Sequence, residues 1–247
     1  MTIVLLVRHG RSTANTSGVL AGWTPEVFLD DVGKKQAETL ARRLTPVKLS
    51  RVVSSPLERT RQTADALVSG QKKKVTIEVD DRIGECRYGD WTGRSLVDLV
   101  KEPLWKSVQA HPSSVRFPGD GGEAMVTMQS RAVTAIHEWN HRLGPRSIYA
   151  VVSHGDVIKA ILADALGMHL DQFQRLQVDP CSLSVINYTP QRPFVLRMND
   201  SGCDLDFIKA PKKNAHGAND AAVGGGAGHT PTGKKDSASK AKDKVRK

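Results

Sequence analysis

The sequence predicts an α/β protein, a three-layer sandwich with a mostly parallel central sheet and helices on both faces. Three observations carry this. "TIVLLVR" (2–8) and "SIYAVVSH" (147–154) are continuous apolar runs, the signature of strands buried on both faces. Segments of helical periodicity separate the strand-like runs, and that alternation suits parallel strands joined by crossover helices. Apolar content is ordinary at 39% over 247 residues, enough for a sizeable core.

Each element follows from its own residues. In "DDVGKKQAETLARRL" (30–44), Val32, Ala37, Leu40, Ala41 and Leu44 recur at helical spacing, and Asp30 or Asp31 can cap the start. "SRVVSS" (50–55) reads as a short strand. Pro56 then stands where a helix begins, continued by "LERTRQTADALV". "KVTIEVD" (74–80) is a strand by β-branching. From Glu85 to Asp120 the pattern loosens around Gly89, Gly93, Pro103, Pro112 and Pro118, which predicts short helices and loops. A long helix covers 123–143. The strand at 147–154 is followed by a helix over 156–167 that ends at a glycine cap. "LSVINYT" and "FVLRMND" close the fold as two strands joined at "PQRP".

Charge divides the chain into two parts. The net charge is +10, but from Lys209 onward ten Lys and Arg face three acidic residues. The tail therefore holds +7, leaving +3 for residues 1–208. Poor in large apolar side chains and rich in Gly, Ala, Ser and Lys, residues 209–247 are expected to be a disordered basic tail beyond a catalytic domain of residues 1–208. A solvated, solubilising role is the first reading of the tail, and contact with nucleic acid or another polyanion is the second. Three widely spaced cysteines (Cys86, Cys181, Cys203) argue against a disulfide framework, and no CxxC pair suggests a metal. No apolar run approaches the roughly 18 residues of a membrane span. The start lacks a basic leader and a cleavage region. A cytoplasmic protein with no membrane contact is expected.

Polar residues gather where strands end. The first strand ends in Arg8-His9-Gly10, the second in Ser54-Ser55-Pro56 with Arg59 soon after, and the late one in Ser153-His154-Gly155. Ligands of open α/β sheets bind outside the carboxyl ends of strands. If these strands are neighbours, Arg8, His9, Arg59 and His154 converge, with helix starts adding N–H groups that favour anions. Two guanidiniums and two imidazoles suit a phosphoryl group, and a neutral histidine can attack phosphorus. Singly, each residue has an ordinary alternative: a strand-end charge, a satisfied core histidine, a solvated helix face or a helix cap. The joint pattern favours chemistry.

In this order the motifs resemble the histidine phosphatase superfamily, also called the phosphoglycerate mutase-like family. The resemblance rests on Arg8-His9-Gly10, Asn15, the "SxxxRxxxTA" of Ser55, Arg59, Thr63 and Ala64, Glu85 followed by Gly89, Trp91 and Gly93, Gly121-Gly122-Glu123, and Ser153-His154-Gly155. It covers residues 2 to about 200 and implies a phosphoglycerate mutase-like fold. It implies His9 as nucleophile, and Arg8, Arg59 and His154 as holders of the phosphoryl oxygens, assisted by Asn15 and the Gly155 backbone. Glu85 would be the general acid and then the base, which requires a raised pKa. Gly22 and Tyr88, in the two segments expected to line the pocket (19–28 and from Cys86 to Pro118), complete the substrate-binding candidates. Neither metal nor other cofactor is expected.

The mutases of this family carry an arginine after the glutamate, where Cys86 stands here, and a paired-arginine insertion. Between Gly93 and Gly121 only the isolated Arg94 and Arg116 occur. A phosphatase acting on a small phosphomonoester is therefore expected. A phosphoglycerate mutase is the alternative, and a silent binding protein using the basic tail is the non-enzyme alternative. Arg11, Ala124 and Asp156 depart from the usual family pattern. Trp23 and Trp105 are weighed as packing residues first and as stacking surfaces second. Family members are often dimers, which leaves a homodimer open.

Overall fold

Residue 4 faces one layer of helices and residue 5 the other, and this alternation organises the molecule. A computed structural model describes residues 1–202. In chain order the elements are β1 (Thr2–Arg8), α1 (Thr13–Ser17), α2 (Asp31–Leu44), β2 (Arg51–Ser54), α3 (Glu58–Ser69), β3 (Ile77–Val79), α4 (Leu96–Leu99), α5 (Pro103–Ala110), α6 (Met125–Leu143), β4 (Ile148–Ser153), α7 (Gly155–Ala165), β5 (Leu183–Tyr188) and β6 (Pro193–Asp200). Short 3₁₀ turns link several of them.

The six strands form one sheet in the order β3-β2-β4-β1-β5-β6. β3, β2, β4 and β1 are parallel, while β5 and β6 run antiparallel to their neighbours. The expected three-layer, mostly parallel arrangement is the observed one. On one face, Val4, Leu6, Val53, Tyr149 and Val151 pack with α6 and α7. On the other, Leu5, Val7, Val52, Ala150 and Val152 pack with α2 and α3. Both faces of β1 and β4 are covered, so their sequences are apolar without interruption. That two-sided burial is the main source of stability, at about 25 cal/mol for each Å² of apolar surface removed from water.

Local differences from expectation have local causes. α3 begins at Glu58 and not at Pro56, because Leu57 is extended as its N-cap. β3 keeps only three of the seven residues of "KVTIEVD". α1 has no apolar periodicity to announce it. It is nucleated by a capping box in which Ser12 and Asn15 bond reciprocally, and it closes at Gly18 in the left-handed conformation. The C-terminal basic tail, and the last residues of the domain beyond 202, lie outside the described residues.

Candidate active site

Strand order decides what meets here. β2, β4 and β1 are adjacent, and their register aligns Arg8 with Ser153 and Ser54 with Val152. Their carboxyl ends therefore deliver Arg8-His9, Ser153-His154 and Ser54-Ser55 to one level of the sheet. The four side chains that the sequence brings into question, Arg8, His9, Arg59 and His154, are all buried.

His9 is held by a short contact. Its Nδ1 lies 2.7 Å from the Gly10 carbonyl, which can only accept, so Nδ1 carries the hydrogen and Nε2 presents its lone pair. Burial, then the charges of Arg59 and Arg8, hold the His9 pKa well below the usual imidazole value and keep the ring neutral. Gly10 stands against α2: a Cβ there would sit 2.6 Å from the Gly33 carbonyl oxygen. Gly33 in turn allows no side chain, since its Cβ would come within 2.0 Å of the Arg11 carbonyl oxygen. Two glycines thus let the turn after His9 press onto a helix. Gly10 N–H also donates to Thr63 of α3.

The phosphoryl cradle is built behind this histidine. The ring centroids of His9 and His154 are 5.3 Å apart. Arg59 Nη2 donates to the Gly22 carbonyl at 2.8 Å and lies 3.4 Å from His154 Nδ1. His154 Nε2 contacts Ser55 Oγ at 2.8 Å. An Nε2–H donating to Ser55 leaves Nδ1 as an acceptor toward Arg59, a tautomer inferred from these partners. Burial and the neighbouring Arg59 lower the pKa of His154 well below its usual value. Arg8 Nη1 donates to the Val178 carbonyl at 2.9 Å. His154 is the N-cap of α7, so the first N–H groups of that helix, Gly155 included, begin beside the cradle.

Glu85 completes the site. The residue is 4% exposed, and Oε2 lies 3.7 Å from His154 Nδ1. Burial, and next the charge of Asp156, raise its pKa to about 7, against the opposing pull of Arg59. The sequence reading asked for such a shift, and the fold provides it by desolvation. The backbone at Glu85 is pinned from two sides. Trp23 Nε1 donates to the Glu85 carbonyl at 2.7 Å, and Arg131 Nη2 donates to it at 2.9 Å. Arg131 also donates to the carbonyls of Arg82 and Gly84 and is paired with Glu123. Glu123 of the "GGE" motif therefore acts through Arg131 and through the Arg87 N–H, which it accepts at 2.8 Å.

A small cleft opens over these groups. It is lined by His9, Ser12, Ala14, Asn15, Val19, Leu20, Ala21, Gly22, Arg59, Glu85 and Leu96. Asn15 Oδ1 accepts from Ser12 N–H and Oγ, which orients its Nδ2 as a donor. Gly22, with φ of +51°, offers its carbonyl to Arg59. Arg8, His154 and Gly155 lie behind the lining, fully buried. Tyr88 departs from the expectation of a substrate contact. It is 0% exposed, its ring packs on Phe117 and its hydroxyl donates to Asp156, so it stands behind the cleft and not in its wall. Trp105 stacks on Trp91 as a packing residue, whereas Trp23 carries the Arg87 guanidinium 4.0 Å above its ring. Arg131 escaped the sequence reading because one arginine inside a long amphipathic helix carries no motif. Ser55 was legible only as part of a motif. Among the described residues no cluster of three His, Cys, Asp or Glu side chains is arranged to hold a metal ion, and no helix is long and apolar enough to cross a membrane.

Comparison with known proteins agrees with this geometry. Residues 4–201 match the family model of the histidine phosphatase superfamily, branch 1. Phosphoserine phosphatase 1 of Hydrogenobacter thermophilus is 33% identical over 217 residues, spanning 86% of this chain and 99% of that protein. Glucosyl-3-phosphoglycerate phosphatase of Mycolicibacterium vanbaalenii is 28% identical over 177 residues, spanning 69% and 76% of the two chains. The crystal structure of the alpha-ribazole phosphatase from Shigella flexneri superposes with a TM-score of 0.71 at 24% identity, covering 83% of this chain and 99% of the other, which establishes the fold. Relatives carry phosphatase names and also mutase names. The chain belongs to the histidine phosphatase superfamily and is a phosphatase of that family.

Proposed function

We propose that the protein hydrolyses a small phosphomonoester in two steps through a phosphohistidine at His9. The observation that carries this is the 2.7 Å contact of His9 Nδ1 with the Gly10 carbonyl, which leaves Nε2 as a neutral nucleophile beside two arginines. In the first step Nε2 forms a bond to phosphorus and the bond from phosphorus to the alcohol oxygen breaks. Protonated Glu85 gives its proton to that oxygen, and the alcohol leaves. In the second step Glu85, now a carboxylate, takes a proton from water. The water oxygen bonds to phosphorus, the bond from phosphorus to nitrogen breaks, and phosphate is released. Arg8, Arg59 and the start of α7 stabilise charge on the phosphoryl oxygens throughout.

Hydrolysis is favoured over mutase chemistry by the state of the two isolated arginines. Arg94 pairs with Glu102, and Arg116 donates to the Gly122 carbonyl. Neither is left to clamp a carboxylate and retain a bisphosphate intermediate. A reducing, cytoplasmic setting is supported by Cys86 and Cys181, both free thiols and both buried.

The test is phosphate release from p-nitrophenyl phosphate in excess chelator, by the intact protein and by His9→Ala. Turnover that survives the chelator and is lost in the variant supports the reading. Equal turnover in both proteins removes His9 from its role.

A further inference from the structure

The cleft has two chemically different ends. One holds His9, Ser12, Asn15, Arg59 and Glu85. The other is Ala14, Val19, Leu20, Ala21 and Leu96. Among the described residues Arg59 is the one Lys or Arg of the lining, and it belongs to the phosphoryl end, with Nη2 on the Gly22 carbonyl and beside His154. Arginines on the neighbouring segments have contacts of their own. Arg11 pairs with Asp30 at 2.6 Å, Arg94 with Glu102, and Arg87 lies on the Trp23 ring.

The apolar end is also fixed in place. Leu20 N–H donates to the Arg94 carbonyl, Gly93 N–H to the Leu20 carbonyl, and Leu96 N–H to the Gly18 carbonyl, at 2.8 to 2.9 Å. Val19 N–H donates to the Ala14 carbonyl at 3.0 Å. Two segments are thereby joined through their backbones into one wall. Val97 of α4 and Val100 just after it are 72% and 54% exposed. A carboxylate laid against these five apolar side chains would lose water and meet no cation among them, whereas an alkyl group would lose only unfavourable hydration.

We propose that the wall of Ala14, Val19, Leu20, Ala21 and Leu96 selects phosphomonoesters of apolar alcohols and discriminates against alcohols that carry a carboxylate. This rests on the phosphatase reading and adds a substrate class to it. It also separates this chain from a preference for phosphorylated hydroxy acids or amino acids.

The experiment compares n-butyl phosphate with 4-phosphonooxybutanoate, two esters with closely matched leaving oxygens that differ by a terminal carboxylate. The expected result is a kcat/KM at least about tenfold higher for the butyl ester. Ala21→Arg, which adds a cation to the wall, should reverse or erase that ratio. Ala21→Val, apolar but larger, should keep it, which separates charge from shape; melting curves of both variants establish that they fold. A carboxylated ester handled as well as the butyl ester, or better, overturns the inference and leaves the phosphatase reading standing. Failure to hydrolyse either ester or p-nitrophenyl phosphate overturns both.

Discussion

The hydroxyl of Tyr88 donates to a carboxylate oxygen of Asp156 across 3.0 Å, with both residues fully buried. Tyr88 lies three residues after the acid Glu85, and Asp156 two residues after His154. The bond ties the segment that carries the proton to the helix that begins beside the phosphoryl cradle. Lys159 Nζ approaches the other Asp156 oxygen at 3.9 Å.

This pair makes a charge-specific prediction. Glu85 must hold its proton to expel the alcohol, so phosphoenzyme formation should fall as pH rises through about 7. Burial is the larger cause of that raised pKa, and the Asp156 charge comes next. Asp156→Asn removes the charge and keeps an acceptor for Tyr88, so the falling limb should move to lower pH. Tyr88→Phe keeps the charge, so the limb should stay while stability drops by about 1 kcal/mol. Single-turnover rates across pH check both; a limb that moves equally in the two variants would rule out the charge as the cause.

Glu85 itself should trade stability for chemistry. Its folded pKa is raised above that of the unfolded chain, so between pH 4.5 and about 7 the native state binds more protons than the unfolded state. Stability from this group therefore falls as pH rises across that window. Glu85→Gln removes the cost of a buried carboxylate. It should raise stability by about 2 kcal/mol at pH 8, with little effect at pH 4, while turnover is nearly abolished. Urea unfolding at the two pH values decides it, and an equal gain at both would contradict the linkage.

Arg131 does not itself line the cleft, yet it holds three points of the acid segment: the carbonyls of Arg82, Gly84 and Glu85. Lysine cannot reproduce that fork. Arg131→Lys should lower kcat about 10- to 100-fold with a smaller change in KM, because Glu85 loses its placement and not its proton. The pH profile should keep its falling limb near 7. A variant with normal kcat would show that Trp23 alone is a sufficient anchor.

Gly33 gives a purely steric test. Its missing Cβ leaves room for the Arg11 backbone, which a methyl group would meet at 2.0 Å. Gly33→Ala should destabilise the protein by about 3 kcal/mol and lower turnover, since α2 would push on the turn that follows His9. An unchanged melting temperature would mean that α2 can shift without disturbing this turn.

Most of the site was legible because its residues stand at strand ends in a recognisable order. His9, Arg59 and Glu85 could be named, and the parallel core strands were visible as unbroken apolar runs. What stayed hidden depends on distances across the fold. Tyr88 was assigned to the substrate by its place in a loop, but a buried phenol needs an acceptor, and the departure Asp156 supplies one. Glu123 was seen as a motif without a mechanism, since its partner Arg131 lies on a helix face with no local signal. α1 is too short for periodicity and depends on one reciprocal cap. The apolar wall combines residues 14–21 with Leu96, which only backbone pairing brings together.

The place of β1 also bears on how the polypeptide is made. Thr2–Arg8 is synthesised well before its two sheet neighbours, Ile148–Ser153 and Leu183–Tyr188. On the ribosome this apolar segment has no strand to pair with until most of the chain has emerged. An amino-terminal fragment that lacks β4 and β5 cannot assemble the nucleophile's surroundings, so the site becomes competent only after both strands have been made. Long-range closure of this kind is slow, so premature termination would leave an unpaired sticky strand and a histidine with nothing to act on.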